Sequence, residues 1–197
     1  MHRRSPGGSG MPRSGPVGTP RRGRGFTLVE LMITMAVAVV LIMIAVPSFR
    51  SMTLSNKLTT AANDMVGAIN IARMEAIKSN SNTQLCSDSS ASNTSNTLGN
   101  ACNASPQAGA VYALTNGAAT QVRAASVGIT TPLKLNGSIT ALRFGGQGLG
   151  QAVGTTTPYT GTVADICTGS ISTGNHRLIQ MTAGSIVAVT TTTGSCP

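Results

Sequence analysis

The chain has 197 residues, of which 41% are apolar, 10% charged and 3% aromatic, with no Trp; that length suits one modest globular core plus an added segment. Its formal net charge of +9 divides unevenly, since residues 1–25 hold six arginines and no acid, whereas the rest holds eight basic and five acidic residues, a net +3. A nucleic-acid footprint cannot be read from the whole-chain basicity, because most of it sits in one short N-terminal stretch.

Residues 1–24 are rich in Gly, Pro, Arg and Ser, a composition that predicts disorder. Gly25-Phe26-Thr27-Leu28-Val29-Glu30 then opens an apolar run that lasts to Val46 and Pro47. As a helix, Phe26 to Val46 would span about 32 Å, enough for the roughly 30 Å hydrocarbon core of a bilayer. The basic flank predicts a cytoplasmic N-terminus. Beyond Pro47, residues Leu54, Leu58, Ala61, Met65, Ile69, Ala72 and Ala76 recur at spacings of three and four. This is one apolar stripe of an amphipathic helix, with Asn56, Lys57, Thr60, Asn63, Asn70 and Arg73 facing elsewhere. The two halves predict one long helix from about Phe26 to Ser79, kinked at Pro47, which lacks a backbone donor.

Ser79 to Pro106 reads as a polar loop with a short strand at Thr83–Cys86. Short strands follow at 111–114, 121–127, 133–135, 139–144, 162–167, 177–181 and 186–190, separated by turn residues. Asn136-Gly137 predicts a hairpin joining Leu133–Leu135 to the strand from Ile139. Ala183-Gly184 marks a second turn, and Gly145–Gly150 a glycine-rich loop. One long helix followed by consecutive strands predicts an α+β fold, the helix laid on an antiparallel sheet.

Chemistry-bearing residues are few. Glu30 lies inside the apolar run, where a carboxylate is costly and signals function. Its expected partner is a positive charge at the same depth in another subunit. The cysteines at 86, 102, 167 and 196 all follow the apolar run and so fall in an oxidising compartment if that run is an anchor. Spacing alone leaves three pairings open. With no C-x-x-C pair, and His176 the one histidine downstream of the apolar run, no zinc or other metal site is expected. No G-x-S-x-G occurs, and the Gly145–Gly150 loop is followed by no Walker lysine, so neither enzymatic activity nor a cofactor is expected.

Arg24-Gly25-Phe26-Thr27-Leu28-Val29-Glu30-Leu31 resembles the prepilin peptidase site of type IV pilins and type II secretion pseudopilins. The resemblance covers the cleavage site, the apolar helix and Pro47. It implies cleavage after Gly25 by a membrane aspartyl prepilin peptidase, then N-methylation of Phe26, with Glu30 facing the new Phe26 amine of a neighbouring subunit. It also implies three parts: a leader over 1–25, an inner-membrane and assembly half-helix over 26–50, and a periplasmic pilin-like domain over 51–197. A 25-residue leader is long for this family, and Met11 offers an alternative start.

The C-terminal part is similar to the FimT and GspH group of minor pilins and pseudopilins. The features that carry this are Gln84-Leu85-Cys86, Leu142-Arg143-Phe144 before the glycine loop, Asp165-Ile166-Cys167, His176-Arg177-Leu178-Ile179 and the late Cys196. The resemblance implies Cys86–Cys102 and Cys167–Cys196 disulfides, and a subunit that primes a type IV pilus or type II secretion pseudopilus. Its partners would be other pilins or pseudopilins, met through the N-terminal helix. The alternative function is binding of double-stranded DNA during natural transformation, which in FimT-type proteins uses a Gly-Arg-x-Arg pattern. Here the matching stretch is Gly184-Ser185-Ile186-Val187, without either arginine. Arg177, Arg143, Lys134 and Arg123 are the remaining candidate DNA contacts.

Overall fold

A computed structural model describes residues 25–94, 96–104, 108–125 and 129–197. Residues 1–24 of the leader expected over 1–25, and Ser126 and Val127 at the end of an expected strand, lie outside the described residues. The chain divides into two compact units, with the boundary between Met43 and Ile44.

The helix α1 runs from Leu28 to Ser79, 52 residues, and continues through Pro47. Within the first unit its apolar side chains are exposed, among them Leu31, Ile33, Val37 and Leu41. An 18-residue window of this helix reaches a mean hydropathy of 2.7 with none of it buried. Length and composition therefore suit a membrane span.

In the second unit the same helix turns one stripe inward. Leu58, Ala61, Ala62, Met65, Ala68, Ile69, Ala72 and Ala76 are buried, which matches the three-and-four spacing legible in the sequence. The stripe packs against two antiparallel sheets rather than the expected one. The first contains β1 (Thr83–Leu85), β2 (Val111–Thr115), β3 (Ala118–Arg123), β5 (Leu142–Phe144) and β6 (Gly150–Ala152), in the order β3-β2-β1-β5-β6. The second contains β4 (Lys134–Leu135), β7 (Gly161–Cys167), β8 (His176–Thr182) and β9 (Ile186–Thr192), in the order β4-β7-β8-β9. Leu85, Val111, Leu142 and Phe144 from one sheet and Val163, Ile166, Ile179 and Met181 from the other share a single core with the helix. The result is the α+β arrangement anticipated from a lone helix ahead of many strands.

Several local expectations need correction. The hairpin expected at Asn136-Gly137 does not form: Lys134 and Leu135 pair with Cys167 and Ile166 of β7, whereas Leu142–Phe144 joins the other sheet. Asn136 is held by Asp165 instead, its N–H donating to the Asp165 carbonyl at 2.9 Å and its Nδ2 to Oδ2 at 2.9 Å. The strand expected from Ile139 starts only at Leu142, because the Ile139 N–H is held by Asp88 Oδ1 at 2.8 Å. The Asn-Gly hairpin of this fold lies elsewhere, at Asn116-Gly117, where φ of 51° and 81° turns β2 directly into β3, as a type I′ turn requires. The turn expected at Ala183-Gly184 is present between β8 and β9, with the Ser185 N–H donating to the Thr182 carbonyl.

The segment expected to be all loop after β1 contains a helix, α2 (Thr97–Ala104). Asn96 caps it, its Oδ1 accepting from the Gly99 N–H at 2.9 Å. The site of Gly99 tolerates no larger residue, since a β-carbon there would lie 2.0 Å from the Asn93 carbonyl oxygen. Cys102 of α2 is joined to Cys86, and Cys167 of β7 to Cys196, with Cα–Cα distances of 5.4 and 5.8 Å. The first bridge forms a small core of its own with Ala110. The glycine-rich loop ends in a strand, β6, not in open loop. Gly150 begins β6 under the ring of Phe144, which a β-carbon would approach to 2.7 Å.

Candidate assembly site

The residues singled out at the N-terminus fall at the start of α1. Gly25 precedes the helix and is sterically open, with nothing within 4 Å of a β-carbon built there. Phe26 is 78% exposed. Glu30 stands in the first turn, and it is the one charged residue between Gly25 and Phe49. Its backbone N–H donates to Thr27 Oγ1 at 3.2 Å, while the Thr27 carbonyl accepts from the Leu31 N–H at 3.1 Å. Thr27 is therefore the N-cap, and Thr27-Leu28-Val29-Glu30 has the T-x-x-E spacing of a capping box. The T-x-x-E spacing makes Thr27 legible in the sequence as the signal that was missed. A carboxylate in the first turn also complements the positive end of the helix dipole. Pro47 lies some 17 residues further along, about 25 Å up the helix.

The four cations considered for DNA are distributed over both sheets, and each is bound within the fold. Arg177 on β8 is 6% exposed. Its Nη2 donates to Ser55 Oγ at 2.9 Å, its Nε to Thr59 Oγ1 at 3.3 Å and its Nη1 to the carbonyls of Gly174 and His176. It ties the sheet to α1. Arg123 on β3 is ion-paired to Asp64 of α1, and its Nη1 donates to the Gly109 carbonyl at 3.1 Å. Arg143 on β5 donates to Gln84 Oε1 at 2.5 Å and to Asn96 Oδ1 at 2.9 Å, and burial pushes its guanidinium below the usual arginine value. Lys134 Nζ donates to the Pro197 oxygen at 2.6 Å.

Two further side chains do work that charge and periodicity did not reveal. Arg73 on α1 turns toward the β8–β9 turn, donating to the Ser185 carbonyl at 2.5 Å, and its guanidinium lies 5.8 Å from the Phe144 ring centroid. Buried Asn93 folds the loop after β1 by accepting from the Ser87 N–H at 2.9 Å and donating back to the Ser87 carbonyl at 3.1 Å. His176 and Asp165 pair at 2.9 Å, both nearly buried. Among the described residues no group of three His, Cys, Asp or Glu side chains is placed to hold a metal ion.

Compared with known families, residues 61–185 match the type II transport protein GspH, and residues 20–46 match the prokaryotic N-terminal methylation motif. Comparison with curated proteins and with solved structures returns no match. The first family match covers well over half of the chain, including the buried stripe of α1 from Ala61 onward and all strands up to the β8–β9 turn. The second covers the capped start of α1 and its exposed apolar run, and it implies processing by prepilin peptidase. The chain thus belongs to the GspH family of type II secretion pseudopilins, non-enzymatic structural subunits anchored in the inner membrane by an N-terminal apolar helix and assembled into a pseudopilus.

Proposed function

We propose that the precursor is cut between Gly25 and Phe26, methylated on the new Phe26 amine, and inserted with other pseudopilins where it primes the pseudopilus. In the assembled state Glu30 pairs with the Phe26 amine of a neighbouring subunit. The observation that carries this reading is the position of Glu30, a lone acid in the first turn of an exposed apolar helix. A charge so placed is costly in hydrocarbon. Pairing across subunits removes that cost and fixes axial register, because a slip along the helix leaves two charges unpaired in a low dielectric.

The capping geometry offers a competing role for the same side chain, and substitution separates the two. Glu30→Gln keeps the hydrogen-bonding capacity a capping box uses but removes the charge; Glu30→Ala removes both. Both variants are expected to reach the membrane with a methylated Phe26, read by mass spectrometry. Both are expected to be depleted at least tenfold from sheared pseudopilus fractions. Normal incorporation of the glutamine variant would leave Glu30 as a helix cap and nothing more.

The structural reading is favoured over DNA binding by the state of the four cations. Phosphate neutralisation needs several cations presented together, and here each donates to groups of its own fold.

A further inference from the structure

Alternation along β5 sends Leu142 and Phe144 into the core and leaves Arg143 on the opposite face of the first sheet. Register places Gln84 of β1 on one side of it and Gln151 of β6 on the other. Two clefts of about 170 and 150 Å³ adjoin here, with Arg143 and Asn82 in the walls of both. Asn96 lines the first, Gly146 and Gln147 the second. Among the described residues no acidic side chain lines either cleft.

Arg143 carries a charge that the fold desolvates without a counter-ion. Its hydrogen bonds run to neutral amides, Gln84 Oε1 at 2.5 Å and Asn96 Oδ1 at 2.9 Å, and both leave from Nη2. Of the five N–H groups on a guanidinium, those of Nε and Nη1 remain. Nε is buried without an acceptor, whereas Nη1, unbonded among the described residues, is open to solvent. Arg123 and Lys78 each have a carboxylate partner. Arg177 lacks one but is nearly sealed from solvent. The lowered guanidinium value noted above has desolvation as its cause, and an opposite charge at this spot would relieve it. Gln84 is fully buried, and its Nε2 is itself tied to the Asn93 carbonyl at 3.1 Å. The guanidinium is thus held in place before any ligand arrives, which lowers the entropy cost of binding one.

We propose that the paired clefts at Arg143 are a binding site for a single carboxylate, which accepts from Arg143 Nη1 and from the Asn82 amide in the wall that the clefts share. One cation with neutral amides around it balances one negative charge. Phosphates in a row need several cations presented together, and these clefts present one. A carboxylate on a guanidinium forms a charge-assisted bond, roughly twice as strong as a neutral one. The same group is offered by an acidic side chain of a neighbouring protein and by a small free acid.

The test has two arms, both on the full-length chain. In detergent, acetate is titrated at constant ionic strength against chloride and phosphate, and the Gly146 amide and the Arg143 Nε–H are followed by NMR. Acetate is expected to give a saturable shift that chloride does not. Arg143→Gln should weaken it at least tenfold, with unchanged exchange protection over Thr97–Ala104 as the check on folding. Gln147→Glu, at an exposed wall position, should weaken it as much without touching the arginine, because it brings a competing carboxylate. No saturation, equal saturation by chloride, tighter saturation by phosphate, or undiminished binding in Gln147→Glu overturns the proposal. The second arm finds the source of the carboxylate. Assembled pseudopili carrying Arg143→Lys, first shown to keep acetate binding, are treated with a carbodiimide, which joins an amine and a touching carboxylate as an amide and takes up the water released. A cross-linked peptide from another protein identifies an acidic side chain as the ligand; no cross-link assigns the site to a free acid. Acetate binding is read on the unassembled chain, so it is independent of the role given to Glu30.

Discussion

Arg177 shows why a charge in a sequence does not declare its task. Read from composition, it is a cation on a strand and so a candidate phosphate contact. In the fold it is nearly buried, has no carboxylate partner among the described residues, and is satisfied by hydroxyls and carbonyls of α1 and of its own strand. The hydrogen bonds of a buried charged group are each worth about 1.5–3 kcal/mol. Arg177→Ala is therefore expected to lower the unfolding free energy by about 2–4 kcal/mol, measured by denaturant titration. A variant with unchanged stability would return Arg177 to the solvent-facing role its charge suggests. Sequence reasoning could not reach the contact because Ser55 and Thr59 lie more than a hundred residues away. Gly99 makes a second test at this scale. A methyl group there meets the Asn93 and Thr94 carbonyls at 2.0 and 2.3 Å, so Gly99→Ala should displace α2. The readout is loss of exchange protection over Thr97–Ala104 while β8 retains its own.

Among the elements, those with a strong period were legible and those set by a partner were not. The stripe from Leu58 to Ala76 declared both the helix and its buried face, and the strands near 111, 162, 177 and 186 lie where alternation and turn residues put them. What alternation does not encode is which sheet a strand joins. Asn136-Gly137 and Asn116-Gly117 are identical dipeptides, yet only the second closes a hairpin, because Asp165 holds Asn136 to β7. α2 is not legible in the sequence because its eight residues are mostly small and polar and its place is set by the Cys86–Cys102 bridge. Replacing both of those cysteines with alanine opens a loop of 16 residues. A loop of that size contributes about 3 kcal/mol by chain entropy. The expected result is a loss of that order in thermal unfolding, with α2 frayed first. In the helix, Leu58→Ala should cost about 2–5 kcal/mol, since Leu58 is fully buried at the head of the stripe.

At the scale of the whole molecule, the division between Met43 and Ile44 means that the core does not draw on the apolar run. A chain beginning at Ser51 retains Ser55, Thr59 and the entire buried stripe. It is expected to be soluble and to unfold in one cooperative transition, followed by circular dichroism; aggregation or gradual melting would show that the first unit supports the second. The unbroken run of α1 from Leu28 to Ser79 has a mechanical consequence. Within the second unit, a pull on the helix at Ile44 is passed along the backbone to Ser55, Asp64 and Arg73, which are held by Arg177, Arg123 and the Ser185 carbonyl, with no loop in between to stretch. Pulled at Ile44 in an optical trap, the second unit should resist until the helix shears off both sheets at once.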